Sequence, residues 1–279
     1  RPRYSIIAPV FNEEAGLAEF YRRTKAVLDG LDGPGELLLI FDGSRDRSPE
    51  IGAELRQADP RVKIINFSRN FGHQVAISAG IDYAEGDAVI IIDSDLQDPP
   101  DVIPEMVKYW ESGIEVVAGM RANREETLML RTFRRIFYRL SNSLSNFEIP
   151  ENVGEFQLID RKVWQVVVSH TDHYPYIRGI IASTGFKRLI LPYTWKARKR
   201  GISKNNALAL IDPALNGIFS FTTVPLRICS FLGFIISFRA FLLAVLTITM
   251  TPVVASASPP RILTRHPALF LFAGFTLRS

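Results

Sequence analysis

Asp93, Asp95 and Gln97 stand at alternate positions in residues 89–100, VIIIDSDLQDPP, directly after four consecutive apolar residues. In an extended backbone, residues i and i+2 project to the same side, so the two carboxylates are expected to aim at one point. Left alone there, they would repel and raise each other's pKa. A divalent cation removes the conflict, and carboxylate oxygens suit Mg²⁺ or Mn²⁺. Such an ion keeps one or two protein carboxylates and fills its other positions with substrate phosphate oxygens. Gln97 would add a carbonyl ligand or orient a bound water. An Asp-x-Asp triplet alone is common on surface loops; its weight here comes from its place at the end of a buried strand.

The elements around it support that placement. The apolar run before Asp93 reads as a strand buried on both faces, as in a parallel sheet. Strands are predicted at 4–10, 35–41, 62–68, 88–93 and 115–121, alternating with helical patterns at 13–31, 48–59, 73–84 and 100–113. That order predicts an α/β fold with a mostly parallel open sheet and helices on both faces. Ligands in such folds sit beyond the carboxyl ends of the strands. Four polar clusters fall there: Asn12-Glu13-Glu14, Asp42-Gly43-Ser44, Asn70-Phe71-Gly72-His73 and Asp93-Ser94-Asp95.

Of 279 residues, 47% are apolar and 22% charged, so a substantial core is expected and global disorder is excluded. A single cysteine, Cys229, excludes a disulfide framework and a cysteine zinc site, in keeping with a reducing compartment. The four histidines show no metal-ligand spacing and are read as ordinary residues. The first ten residues, RPRYSIIAPV, enter a strand directly and lack a signal-peptide pattern. The net charge is +4, with Arg and Lys concentrated in 121–139 and 187–204. Those clusters suit either solvated faces or an anionic partner. In residues 127–144 basic and apolar side chains interleave, as on an amphipathic helix packed on the domain or facing lipid phosphates.

From about Ile228 the chain runs some thirty residues with Arg239 as the only charge. A membrane-spanning helix needs about 20 apolar residues, so a span is expected, with Arg239 facing a partner helix or snorkelling. The later apolar stretch 268–277 is too short to cross as a straight helix. The expected organisation is a catalytic domain over 1–210, an interfacial segment over 211–230 and a membrane region over 231–279. The basic domain is expected on the cytoplasmic side of the cell's inner (plasma) membrane, below one or more passes. With a span and no nucleic-acid motif, a nucleic-acid partner is excluded.

Taken together, APVFNEE, DGSRDRS, NFSRNFGHQVAISAG, GDAVIIIDSDLQDPP, GMRANR, YIRGI and RKRGISK, in this order over residues 4–230, resemble family 2 glycosyltransferases of the GT-A fold. The branch resembled is that of the polyprenyl-phosphate sugar synthases, nearest the bactoprenol glucosyltransferases and related to dolichol-phosphate mannose synthases. The resemblance implies a UDP-sugar donor and a polyprenyl phosphate acceptor. Pro9, Asn12 and Glu14 would line the nucleotide pocket, with Asp42 near the base or ribose. Asp93, Ser94, Asp95 and Gln97 would serve the metal and diphosphate. Arg121, Arg131, Arg198, Ser203 and Lys204 would meet the acceptor phosphate, and homo-oligomers formed through membrane helices would follow by analogy.

Two departures from the family pattern stand out. Phe41 precedes Asp42 where relatives carry a second acid, which puts one contact to the base in question. Glu155 and Gln157 stand where relatives show Asp and Arg, so Glu155 is expected to orient groups more than to abstract a proton. The readings left open are glucose transfer, the same reaction with a mannose or modified arabinose donor, and a membrane-anchored nucleotide-sugar-binding protein of weak activity.

Overall fold

The computed structural model describes residues 1–121, 153–170, 175–194 and 224–257. Arg131, Arg198, Ser203, Lys204, the 127–144 helix and the 268–277 stretch lie outside the described residues. The chain divides into two compact units, residues 1–222 and 223–279.

The first unit alternates strands and helices: β1 (Tyr4–Val10), α1 (Leu17–Gly30), β2 (Gly35–Phe41), α2 (Ser48–Ala58), β3 (Val62–Asn66), α3 (His73–Asp82) and β4 (Ala88–Ile91). After a short 3₁₀ turn come α4 (Ile103–Glu111), β5 (Val116–Arg121), β6 (Val153–Asp160), α5 (Arg161–Val168), α6 (Ile177–Ser183) and β7 (Arg188–Tyr193). The strands form one seven-stranded sheet in the order β3-β2-β1-β4-β6-β5-β7. It is parallel except at β6, which runs antiparallel between β4 and β5. The sheet is therefore mostly parallel, as the alternation predicts. β6, β7 and the helices flanking them are elements that periodicity did not single out.

Burial follows the strand alternation. In β1, Tyr4, Ile6, Ala8 and Val10 pack toward α1 and α4, while Ile7 packs toward α3, α5 and α6. Both faces of the central strands are thus covered, which is why β1, β2 and β4 read as continuous apolar runs. This two-sided core fixes the carboxyl ends of β1, β2 and β4 side by side.

In the second unit, α7 (Val224–Ala257) runs for 34 residues, about 51 Å at 1.5 Å per residue. Within it Cys229–Thr249, 21 residues with a mean hydropathy of 2.3 over the most apolar 18, is long and apolar enough to cross a membrane. The helix begins inside the segment expected to lie along the interface. Arg239 is exposed on it, among exposed Phe, Leu and Ile side chains.

Candidate active site

Three loops at the carboxyl ends of the first strands lock together through side chains. Asn12, left-handed at φ 55°, a conformation that Asn tolerates better than most residues, donates its backbone N–H to Ser44 Oγ (3.1 Å) and accepts from the Arg45 N–H at Oδ1 (2.8 Å). Glu14 accepts from the Arg47 N–H (3.1 Å), and its own N–H is held by Asp46 (3.0 Å). Gly43 sits at φ 65°, and a Cβ there would lie 2.4 Å from the Arg69 backbone, so only glycine lets the β2 and β3 loops approach this closely. Asp42, 4% exposed, accepts from the backbone N–H groups of Phe71 (2.7 Å) and Gly72 (3.0 Å), one at each carboxylate oxygen.

Beside these loops lies a cavity of about 510 Å³, lined by Pro9, Phe11, Glu13, Asp42, Asn70, His73, Asp93, Ser94 and Asp95 among others. All four strand-end clusters of the sequence contribute to it. Within the clusters the residues divide between lining the cavity and holding its loops. Glu13 rather than Glu14 lines the cavity, and neither Asn12 nor Glu14 does; their side chains hold the β1 and β2 loops together. Asp42 borders the cavity but spends both oxygens on the β3–α3 loop. Pro9 contributes its carbonyl to the buried Ser94 hydroxyl (2.7 Å), tying the end of β4 to β1.

The acidic triplet is not extended. The β4 ladder ends at Ile91, and residues 94–98 turn, with Leu96 in the left-handed region at φ 62°. For a branched side chain that costs on the order of 1–2 kcal/mol; Leu96 packs against the core, which offsets it. The turn, not strand alternation, is what brings Asp93 and Asp95 to one cavity. Within it the Gln97 backbone N–H donates to Asp95 Oδ1 (3.1 Å), which ties the third residue of the pattern to the second.

Asp93 is the electrostatic centre. Burial pushes its carboxyl up to about 6, the charges of Asp98, Asp95 and Glu155 push the same way, and His73 opposes them. His73 Nε2 lies 3.3 Å from Asp93 Oδ1, so this histidine belongs to the site and is not an ordinary one. The available signal was its membership of a strand-end cluster, which spacing rules for metal ligands overlook. Glu155 lies on β6, whose antiparallel register pairs Gln157 with Ile91; continuing that register puts Glu155 level with Asp93. Glu155 Oε2 is buried without a hydrogen-bond partner. Gln157 is 2% exposed and donates to the Gly154 carbonyl (3.2 Å), a backbone contact within its own strand.

Arg121 closes β5 beside two residues that sequence reasoning passed over. Its Nη2 donates to Asp98 Oδ2 (3.3 Å) and its Nε to the Tyr193 hydroxyl (3.4 Å). Asp98 is wholly buried; in the sequence it reads only as the end of the acidic stretch. Phe41 is also resolved. Its ring is 1% exposed and packs under α2 against Gly52, in the core and not at the cavity.

A hard divalent cation suits this donor set. Asp93 Oδ1 is buried and accepts no hydrogen bond, and Asp95 borders the same cavity. Among the described residues no group of three or more His, Cys, Asp or Glu forms a complete metal site. Two carboxylates are nevertheless what a Mg²⁺-like ion takes from protein when phosphate oxygens supply the rest.

Residues 5–167 match Glycosyl transferase family 2. An uncharacterized glycosyltransferase of Bacillus subtilis is 43% identical over 86% of this chain and 75% of its own length. The bactoprenol glucosyl transferase of Shigella phage SfV is 37% identical over 86% of this chain and 78% of its own. The undecaprenyl-phosphate 4-deoxy-4-formamido-L-arabinose transferase of Pectobacterium carotovorum is 34% identical over 97% and 83%. Among solved structures, glucosyl-3-phosphoglycerate synthase from Mycobacterium tuberculosis, in complex with Mn²⁺, UDP-glucose and phosphoglyceric acid, superposes with a TM-score of 0.55 at 19% identity, covering 79% of this chain and 80% of that one. The chain belongs to glycosyltransferase family 2 and has the GT-A fold.

Proposed function

We propose that this glycosyltransferase moves glucose from UDP-glucose to a polyprenyl phosphate with inversion at the anomeric carbon. The observation that carries the reading is the cavity at the strand ends, where Asp93, whose buried Oδ1 accepts no hydrogen bond, and Asp95 face a space large enough for a sugar nucleotide. The relatives named for bactoprenol and undecaprenyl phosphate support the acceptor, as does the membrane-length helix in the same chain.

Asp93 and Asp95 would hold Mg²⁺ or Mn²⁺, which offsets the charge developing on a departing diphosphate. Asp42 holds the β3–α3 loop in place, and that loop carries His73 to Asp93. The acceptor is a phosphate monoester with a second pKa near 6, already mostly anionic at neutral pH, so it needs little general-base help. Glu155 therefore acts in orientation. Arg121, with Arg131, Arg198, Ser203 and Lys204, would bind the acceptor phosphate and offset its repulsion from the diphosphate. In this reading residues 1–210 form a cytoplasmic catalytic domain, 211–230 follow the interface and 231–279 lie in the membrane, where copies of the chain associate.

The test is transfer of labelled glucose from UDP-glucose into solvent-extractable undecaprenyl phosphate, with Mg²⁺ or Mn²⁺ and then with EDTA. Metal-dependent label in the lipid is expected, and Asp95→Ala should lower it at least 100-fold, on the order of losing one well-placed charged group at a reacting centre. Full activity in EDTA, or in the Asp95 variant, would remove the metal role. A second donor is favoured by one observation: the formamido-arabinose transferase matches 97% of this chain. Label from that donor and none from UDP-glucose would reassign the sugar while leaving the acceptor unchanged. UDP binding without transfer from either would make the chain a nucleotide-sugar-binding protein.

A further inference from the structure

We propose that Tyr193 is a positioning residue for the acceptor phosphate, acting through Asp98 to fix the guanidinium of Arg121. This rests on the reading of Arg121 as a ligand of that phosphate. Arg121 and Tyr193 are paired positions on the parallel strands β5 and β7, so both side chains project from the same face of the sheet. The Tyr193 hydroxyl donates to Asp98 Oδ1 and accepts from Arg121 Nε (3.4 Å). Asp98 in turn holds Arg121 Nη2 at 3.3 Å. Asp98 is three residues beyond Asp95, so the triad joins the turn bearing the candidate metal ligands to the strand end bearing the candidate phosphate ligand.

The arrangement is rigid at its base. The Tyr193 ring meets Phe156 edge-on, with centroids 5.5 Å apart and planes at 90°. Gly119 backs it so closely that a Cβ there would lie 2.8 Å from the ring. Burial, and next the Asp98 charge, hold the phenol well above its ordinary value, so it stays a donor to Asp98 at all working pH values. A buried ion pair is an expensive way to hold a sheet together, since apolar packing of equal volume does that as well or better. What the triad provides is direction. Arg121 Nη2 stands 3.3 Å from both Asp98 oxygens, while the tyrosine hydroxyl donates to Oδ1 and accepts from Nε, so the phenol fixes the carboxylate and the guanidinium relative to each other.

The test uses the full chain in detergent, with UDP-glucose and undecaprenyl phosphate. Tyr193→Phe keeps the ring and removes only the hydroxyl. We expect the KM for undecaprenyl phosphate to rise about tenfold, the range for one hydrogen bond to a charged partner, with the KM for UDP-glucose and the affinity for UDP unchanged. Combined with Arg121→Ala, the tyrosine substitution should add nothing, because its effect passes through the arginine. Asp98→Asn offers a second route to the same loss of acceptor affinity. An additive double variant, or a fall in kcat with acceptor KM unmoved, would overturn the proposal. An unchanged acceptor KM in Arg121→Ala would defeat the reading of Arg121, and this inference with it.

Discussion

Replacing Asp42 by Asn distinguishes a nucleotide ligand from a residue that builds the site. Both carboxylate oxygens accept a backbone N–H, from Phe71 at 2.7 Å and Gly72 at 3.0 Å, and the side chain is 4% exposed. An amide keeps one acceptor and turns an NH₂ group toward the other N–H. One hydrogen bond to a charged group is lost, about 1.5–3 kcal/mol, and a buried donor is left unsatisfied. A total near 3 kcal/mol would lower the thermal midpoint by about 6–12 °C in a domain of this size. Because the loop released includes Asn70, Gly72 and His73, all at the cavity, UDP affinity should fall in parallel. The assay is thermal unfolding of the ligand-free protein, followed by titration with UDP. An unchanged midpoint with lost UDP binding would refute the reasoning and make Asp42 a direct contact to the nucleotide.

Two further expectations concern the frame of the site. Gly52→Ala places a methyl 2.4 Å from the Phe41 ring, an overpacking that should cost about 1–3 kcal/mol; Phe41→Leu in the same chain should recover part of it, and UDP affinity should stay at the parent value in both, as titration would check. Asp59, hydrogen-bonded by the Arg61 guanidinium, has its pKa lowered to about 2. Its folded value lies below its unfolded one, so the pair contributes stability above about pH 4 and loses it as pH falls through 2. Asp59→Asn should therefore flatten the fall in thermal midpoint between pH 4 and pH 2, measured against the parent chain.

The legible part of this protein is the part governed by local rules. β1, β2 and β4 are covered on both faces, so their apolar runs are unbroken; the ends of β1 and β2 can be read from the sequence, while β4 stops at Ile91, two residues short of the expected Asp93. Once their order implied a parallel sheet, the polar clusters at those ends converged on one cavity, with no need to know any side-chain direction. What stayed hidden depends on distance in sequence. β6 carries Glu155 and Gln157 on the face of Ile159 and pairs with β4 from some seventy residues away, and the antiparallel insertion that levels Glu155 with Asp93 leaves no periodic trace. Asp98 looks like the tail of an acidic run until Arg121 and Tyr193, from two other strands, are found on it. Phe41 carries the same point in reverse. Its neighbour Asp42 has its side chain at the cavity, and adjacent strand residues face opposite sides. The aromatic that looks like a damaged ligand in a linear motif is therefore a core residue, and Gly52 is the space it needs. A departure from a family motif weakens a functional reading only after the side chain's face is known.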